Sequence, residues 1–260
     1  DCAHIWESEC AAPEHFFGGK LVPLPTIDGK ITVDALRPAL GPTRGVHHAR
    51  PRVLSLTQPT EWGTVYSAAE LSALCDVAHA HGLRVHVDGA RYANACAALD
   101  VPLNALAGAC GVDVLAFGGT KNGLLGAEAV IVFDRAVAER TAYARKQAAQ
   151  LASKMRFVAA QFLAYLDNGL WRELAAHANA MAARLAHALA GTPGIEFVVP
   201  VECNMLFPRL PRAAIEALQP DFPFYVWRER DDVARWITSF DTTPDDVDTF
   251  ARAVRQVLAR

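Results

Sequence analysis

The sequence has little excess of charge of either sign. Its 260 residues carry 25 Lys and Arg against 28 Asp and Glu, a formal charge of −3, with acids and bases dispersed. That balance offers no broad basic field for nucleic acid and no polybasic arm for a membrane surface. Long apolar runs are also missing, and none approaches the ~20 residues that a helix needs to cross a bilayer. Cysteine is sparse and scattered: Cys2, Cys10, Cys75, Cys96, Cys110 and Cys203 form no CxxC pair. The spacing excludes the dense disulfide framework of a small secreted domain and fits a reducing cytoplasm. No internal repeat or low-complexity segment interrupts the chain. It opens neither on methionine nor on a charged-then-apolar leader. "DCAHIWESECAAPEHF" reads like the interior of something longer, and leading residues are expected to be missing. The expected partner is a small molecule or another copy of the chain.

What is present is enough apolar material, 52 % of residues, to bury a large core in one big domain or two smaller ones. Residues 53 to 88 form the clearest unit. "VLSL" is a short strand, and Ser67 with Glu70 three positions on is a capping-box signature that predicts a helix start. Leu71, Leu74, Cys75 and Ala78 recur at helical spacing, Gly82 stops the helix, and "LRVHVD" returns as a strand. The resulting β-α-β unit implies a parallel sheet covered by helices. "VDVLAFGG" (112–119) and "AEAVIVF" (127–133) are too apolar for a one-sided sheet and read as central strands. From Leu170, a stripe of Leu170, Leu174, Met181, Leu185 and Leu189 predicts a long helix ending at Gly191 and Pro193. Short strands and two helices then suggest a smaller α+β domain, giving expected domains of 1–168 and 169–260.

Ligands of open parallel sheets gather outside the carboxyl ends of the strands. Asp88 ends one strand in "HVDGAR", and Lys121 follows the next in "FGGTKNG". If the two strands are neighbours, the side chains meet across one site, and Gly118, Gly119 and Gly123 leave room for a flat ligand. A lysine and a strand-end carboxylate suggest pyridoxal phosphate: the amine bonds the aldehyde, and the carboxylate keeps the ring nitrogen protonated. Either residue alone is as well read as a solvated lysine or a turn aspartate. His79, His81 and His86 raise the question of a metal, but the first two fall at a helix end and the third on a strand. No ligand set is complete, and no metal site is expected.

"LRVHVDGARYANA" (83–95), "VDVLAFGGTKNG" (112–123), "SKMRF" (153–157) and "ARWITSFDTT" (234–243) together resemble the bacterial low-specificity L-threonine aldolases. These belong to the β-eliminating lyase and threonine aldolase group and lie close to phenylserine aldolases. The resemblance runs the length of the chain. It implies an α/β fold of the fold-type I pyridoxal-phosphate (transferase-like) class, with a mainly parallel mixed sheet in the large domain. It also implies a cytoplasmic homotetramer, a dimer of dimers with sites between subunits, and a place in amino acid metabolism. The implied reaction is retro-aldol cleavage of L-threonine or L-allo-threonine, or another β-hydroxy-α-amino acid, to glycine and an aldehyde, by a carbon–carbon lyase.

By the same resemblance Lys121 is the Schiff-base lysine and Asp88 the partner of the ring nitrogen. Arg91 and Arg235 hold the substrate carboxylate, a role that suits a bidentate guanidinium. His4 stacks on the cofactor and is the candidate base, and Glu9 is an acidic neighbour. Arg156 reaches the cofactor phosphate from a neighbouring subunit, with Thr120 as a hydroxyl donor and Lys154 as a second cation. The chain departs from the pattern twice. Some relatives carry a second histidine where this sequence has "TQPTEWG" (57–63), leaving Glu61, Thr60 or a water held by His4 as substitutes. The Gly-Thr/Ser-Ala phosphate cup of the family would precede His4 and is not in this sequence. The alternatives are phenylserine aldolase or a β-eliminating lyase on the same scaffold, or a non-catalytic or truncated relative.

Overall fold

The structure is a computed structural model that describes residues 1–41 and 45–259. It begins with three short helices, α1 (His4–Glu7), α2 (Ala12–Phe17) and α3 (Val33–Leu36), and then enters strand β1 (Val53–Thr57). Helix α4 (Ala68–Ala80) starts where the capping box predicts. Ser67 Oγ accepts from the Glu70 amide at 3.2 Å, and Glu70 Oε2 accepts from the Ser67 amide at 2.7 Å. Its buried stripe is the expected one, Leu71, Leu74, Cys75 and Ala78. Strand β2 (Arg84–Gly89), helix α5 (Tyr92–Ala98), strand β3 (Val114–Gly118) and strand β4 (Glu128–Val132) follow. Helices α6 (Arg135–Gln147), α7 (Arg156–Leu166) and the 20-residue α8 (Leu170–Leu189) lead onward. The chain ends with β5 (Glu196–Phe197), β6 (Met205–Leu206), β7 (Pro208–Arg209), α9 (Arg212–Leu218), β8 (Tyr225–Arg228), β9 (Val233–Ile237) and α10 (Pro244–Leu258).

The first sheet has the order β1-β2-β3-β4, with β1, β2 and β3 parallel and β4 antiparallel to β3. Register places Thr57 opposite Asp88, and Asp88 opposite Ala116. Asp88 and Lys121 therefore leave neighbouring strands at one end of the sheet. Because side chains alternate along a strand, Leu54, Leu56, Val85, Val87, Leu115 and Phe117 fill the core, leaving His86 and Asp88 on the other face. "AEAVIVF" is not a central strand among the described residues. Strand β4 pairs with β3 alone, and Val130 is 60 % exposed. An apolar run records a preference for burial without recording which neighbours supply it.

The second sheet, β5-β7-β9-β6 with β8 added on β9, is antiparallel and packs with α9 and α10. Helix α8 serves both cores: Trp171 and Ala175 join the first, while Ala182, Leu185 and Leu189 join the second. Its buried face is rotated from the expected stripe. The residues facing inward are Trp171, Ala175, Ala178, Ala182, Leu185 and Leu189, and Leu170, Leu174 and Met181 flank them. The alanines let α8 lie close against its neighbours, so small side chains mark the contact along with Leu185 and Leu189.

Candidate active site

Asp88 is half-buried one residue before the end of β2, and its Oδ1 accepts from the Ala90 amide at 3.0 Å, which closes the turn into α5. Arg91 occupies the N-cap position of α5. A Cβ on Gly118 would stand 2.5 Å from the Ala90 carbonyl oxygen, and one on Gly89 would stand 2.7 Å from that of Ala116. At Gly119 a Cβ would meet Leu124 Cδ1 at 2.5 Å. The room for a flat ligand that the sequence leads one to expect at Gly118, Gly119 and Gly123 is, at Gly118 and Gly119, taken up by protein atoms. Gly89 and Gly118 let the Asp88–Arg91 turn press against the end of β3, which brings Asp88 and Arg91 to Lys121, while Gly119 makes room for Leu124.

Lys121 sits in the single 3₁₀ turn Thr120–Asn122, closed by Gly123 at φ +105°. The turn is held from both sides. Glu128 Oε2 and Oε1 accept from the Gly119 and Thr120 amides, each at 3.3 Å. Buried Asn122 donates to Tyr165 Oη at 2.5 Å and to the Trp171 carbonyl at 3.0 Å. Burial lowers the Lys121 pKa from its ordinary value, and the Arg91 and Arg235 guanidiniums add to the effect while Asp88 and Glu128 oppose it. The amine is thereby pushed toward its neutral, nucleophilic form.

Arg91 is lowered to about 10, chiefly by burial and then by Arg235. Arg235 on β9 is lowered in the same direction by burial, against Glu61 and Tyr225. Its guanidinium lies 4.9 Å over the Trp227 ring, and its buried Nε has no hydrogen-bond partner among the described residues. The β-bulge between Val226 and Arg228 falls at Trp227. Neither Arg91 nor Arg235 forms a salt bridge among the described residues. Two partly buried guanidiniums that no carboxylate engages in a salt bridge among the described residues are able to bind an anion.

His4, the first residue of α1, reaches this end of the sheet through Glu61. Its amide donates to Glu61 Oε1 at 2.7 Å, and its Nδ1 lies 2.6 Å from Glu9 Oε1. Glu61, considered from sequence as a stand-in for a missing histidine, thus has a definite place. Thr60 turns away, bonded to Thr64 Oγ1 at 2.8 Å. Thr120 stands next to Lys121 with its hydroxyl unbonded among the described residues. Arg156 is not brought to this cluster: it starts α7, exposed, with its guanidinium 4.7 Å over the Phe157 ring. Lys154 lies just before it at φ +60°, also exposed. The histidines weighed as metal ligands go elsewhere. His79 Nε2 lies 2.8 Å from Asp113 Oδ2, His81 Nδ1 2.9 Å from the Val77 carbonyl, and His86 Nδ1 2.9 Å from Ser55 Oγ. Trp227 and its stack on Arg235 carried no signal in the sequence, because the bulge that creates the contact depends on strand pairing.

The family described as beta-eliminating lyase matches residues 1–210. A low specificity L-threonine aldolase of Pseudomonas aeruginosa is 43 % identical over 260 residues, covering 99 % of this chain and 75 % of that protein. A second protein of that description, from Pseudomonas sp., is 41 % identical over 261 residues, again 75 % of its length. Among solved structures, the threonine aldolase of Leishmania major superposes with a TM-score of 0.91 at 31 % identity, covering 99 % of this chain and 75 % of that one.

Proposed function

The chain belongs to the beta-eliminating lyase family, and from that premise we propose that it is a fold-type I pyridoxal-phosphate enzyme cleaving L-threonine and related β-hydroxy-α-amino acids to glycine and an aldehyde. One observation carries the reading. A lysine amine with lowered pKa, a strand-end carboxylate and two guanidiniums free of salt bridges among the described residues converge at the carboxyl ends of the parallel strands of the first sheet. The donor set fits the cofactor: Lys121 would bond its aldehyde carbon, and Asp88 would hold a proton on its ring nitrogen. When bound, the cofactor supplies an electron sink for the pair left on Cα.

The chain's own residues do the rest. Arg91 and Arg235 take the substrate carboxylate, and the unpartnered Nε of Arg235 is a donor that a carboxylate oxygen would satisfy. Fixing the carboxylate orients the bonds at Cα, which is where positioning accelerates a cleavage. With Nδ1–H donated to Glu9, His4 presents Nε2 as an acceptor. It takes the β-hydroxyl proton as the Cα–Cβ bond breaks, the hydroxyl oxygen becomes the aldehyde carbonyl, and Cα is then protonated to give glycine.

Thr120 and Arg156 are assigned to the cofactor phosphate. In this proposal Arg156 acts from a neighbouring subunit, a reading supported by its exposure. We extend the proposal to a cytoplasmic homotetramer. Six free cysteines support a reducing compartment, and exposed Phe157, Leu163 and Leu166 on α7 support an apolar subunit contact. No helix among the described residues is long and apolar enough to cross a membrane.

The test is direct. The purified protein should absorb in the visible range with cofactor bound, and borohydride should fix the cofactor to Lys121, as located by mass spectrometry. L-threonine should yield acetaldehyde. A parent protein without a borohydride-trapped adduct overturns the reading.

A further inference from the structure

Glu61 stands at the junction of two segments that are distant in sequence. Its Oε1 accepts from the His4 amide at 2.7 Å and from Thr57 Oγ1 at 2.8 Å. Thr57 is the last residue of β1 and pairs with Asp88 in register. The next amide, Gln58 N–H, donates to the Asp88 carbonyl at 2.8 Å. The loop between is stiff. Buried Gln58 donates to the Tyr66 carbonyl at 2.8 Å and accepts from the Tyr66 amide at 3.0 Å, and Thr60 bonds Thr64. On the other side, α1 lacks a side-chain cap of its own, because its N-cap is Ala3. First-turn amides have no partner within a helix, so the acceptor for His4 N–H must come from outside, and it comes from Glu61.

We propose that Glu61 is a positioning residue that fixes His4 relative to Asp88, and so sets the slot in which the substrate's β-hydroxyl meets the imidazole. This rests on the role assigned to His4 above. The carboxylate acts through two hydrogen bonds to one oxygen, a task that a glutamine carbonyl can perform and an alanine cannot. Its charge is not what the tether needs.

The experiment compares Glu61→Gln and Glu61→Ala holoenzymes by hydrogen exchange and by L-threonine cleavage. An amide in the first turn of a four-residue helix is unprotected unless something outside the helix accepts from it. The His4 amide should therefore exchange about tenfold or more faster in Glu61→Ala than in the parent, and at the parental rate in Glu61→Gln. Turnover should fall by about tenfold or more in Glu61→Ala with KM within twofold, while Glu61→Gln recovers most of it. If the alanine variant does not fold, Thr57→Val removes the second hydrogen bond and should move both readouts in the same direction. Unchanged His4 exchange in Glu61→Ala overturns the tether. A glutamine variant with a protected amide but alanine-like turnover also overturns the proposal, because it would give Glu61 a charge or proton role instead. A His4→Ala variant that cleaves at the parental rate would sink the role of His4 itself, with the exchange result still deciding the tether.

Discussion

The two ends of the first sheet use the same kinds of residue to opposite effect. At the amino ends of its parallel strands, Arg84 Nε lies 2.6 Å from Asp134 Oδ2 and 3.8 Å from Asp113 Oδ1. Asp113 Oδ2 accepts from the Val85 amide at 2.7 Å and lies 2.8 Å from His79 Nε2. Asp134 also caps α6 through the Ala136 amide at 2.8 Å. Arg84, Asp113, Asp134 and His79 each have a partner at this end. At the carboxyl ends, Asp88, Arg91, Lys121 and Arg235 lie within electrostatic reach of one another, yet none joins a salt bridge among the described residues. A folded chain can satisfy its charges, as the amino end demonstrates. Leaving them unsatisfied in a half-buried cluster costs stability, and such a cost persists where a ligand offsets it.

Substitutions at the two ends should separate activity from stability. The largest effect is expected at Lys121. Lys121→Ala should cut turnover of L-threonine by about a thousandfold or more and abolish the borohydride-trapped adduct, because no other group in the cluster is a nucleophilic amine. Its thermal midpoint without cofactor should not fall, since the variant removes a cation from a site that already disfavours one. Arg235→Leu comes next. Losing a charge-assisted bidentate contact of about 1.5–3 kcal/mol should lower kcat/KM by roughly 10- to 100-fold, measured by steady-state kinetics, with chemical denaturation showing no loss of folding stability. A destabilised Arg235→Leu protein with normal kinetics would place Arg235 with the structural charges of the opposite end.

The same contrast explains what could be read from the sequence. The β-α-β unit was legible because Ser67, Glu70 and the stripe from Leu71 to Ala78 are local signals with a local cause. Lys121 and Asp88 were legible as a pair because parallel strands bring their carboxyl ends together whatever the intervening chain does. The extent of helix α8 was legible from its apolar stripe, and Leu185 and Leu189 are buried as expected, but Ala175, Ala178 and Ala182 share the contact and leave little mark in a hydrophobic pattern. Gly118 and Gly119 looked like clearance for a ligand, but their neighbours are Ala90 and Leu124, both set by tertiary packing. Glu61 to His4 spans 57 positions, and Arg235 over Trp227 needs a bulge in a strand pair. Neither contact has a periodicity or a motif from which to infer it.

At the amino end the expected loss is in stability. Asp113→Ala leaves the Val85 amide without its side-chain acceptor and takes the partner from His79, so denaturant titration should show a cost of about 1–3 kcal/mol. Turnover per folded molecule should match the parent, because the substitution sits at the far end of the strands from Lys121. A matching loss of turnover in fully folded protein would show that the two ends are not separable.

The smallest effect expected is one of pH, at Glu61. Burial, the largest cause, raises its pKa above the ordinary value of 4.5, Asp88 adds to the rise, and the hydrogen bonds from His4 and Thr57 only partly offset it. A carboxyl with a raised pKa in the fold favours its protonated form there. Its contribution to stability is fully present below the unfolded value and is lost as pH climbs through the folded one. Removing the ionisation should therefore help most where the parent must be ionised. Glu61→Gln should melt higher than the parent at pH 8, and the gap should narrow as pH falls through the raised folded value, closing only below the unfolded one. Thermal melts of both proteins across that range decide the point. A gap that is constant with pH would mean that the gain comes from packing. A gap that widens as the solution becomes acidic would mean that Glu61 is an ion-paired carboxylate like Asp113, and would erase the difference between the two ends of the sheet at that residue.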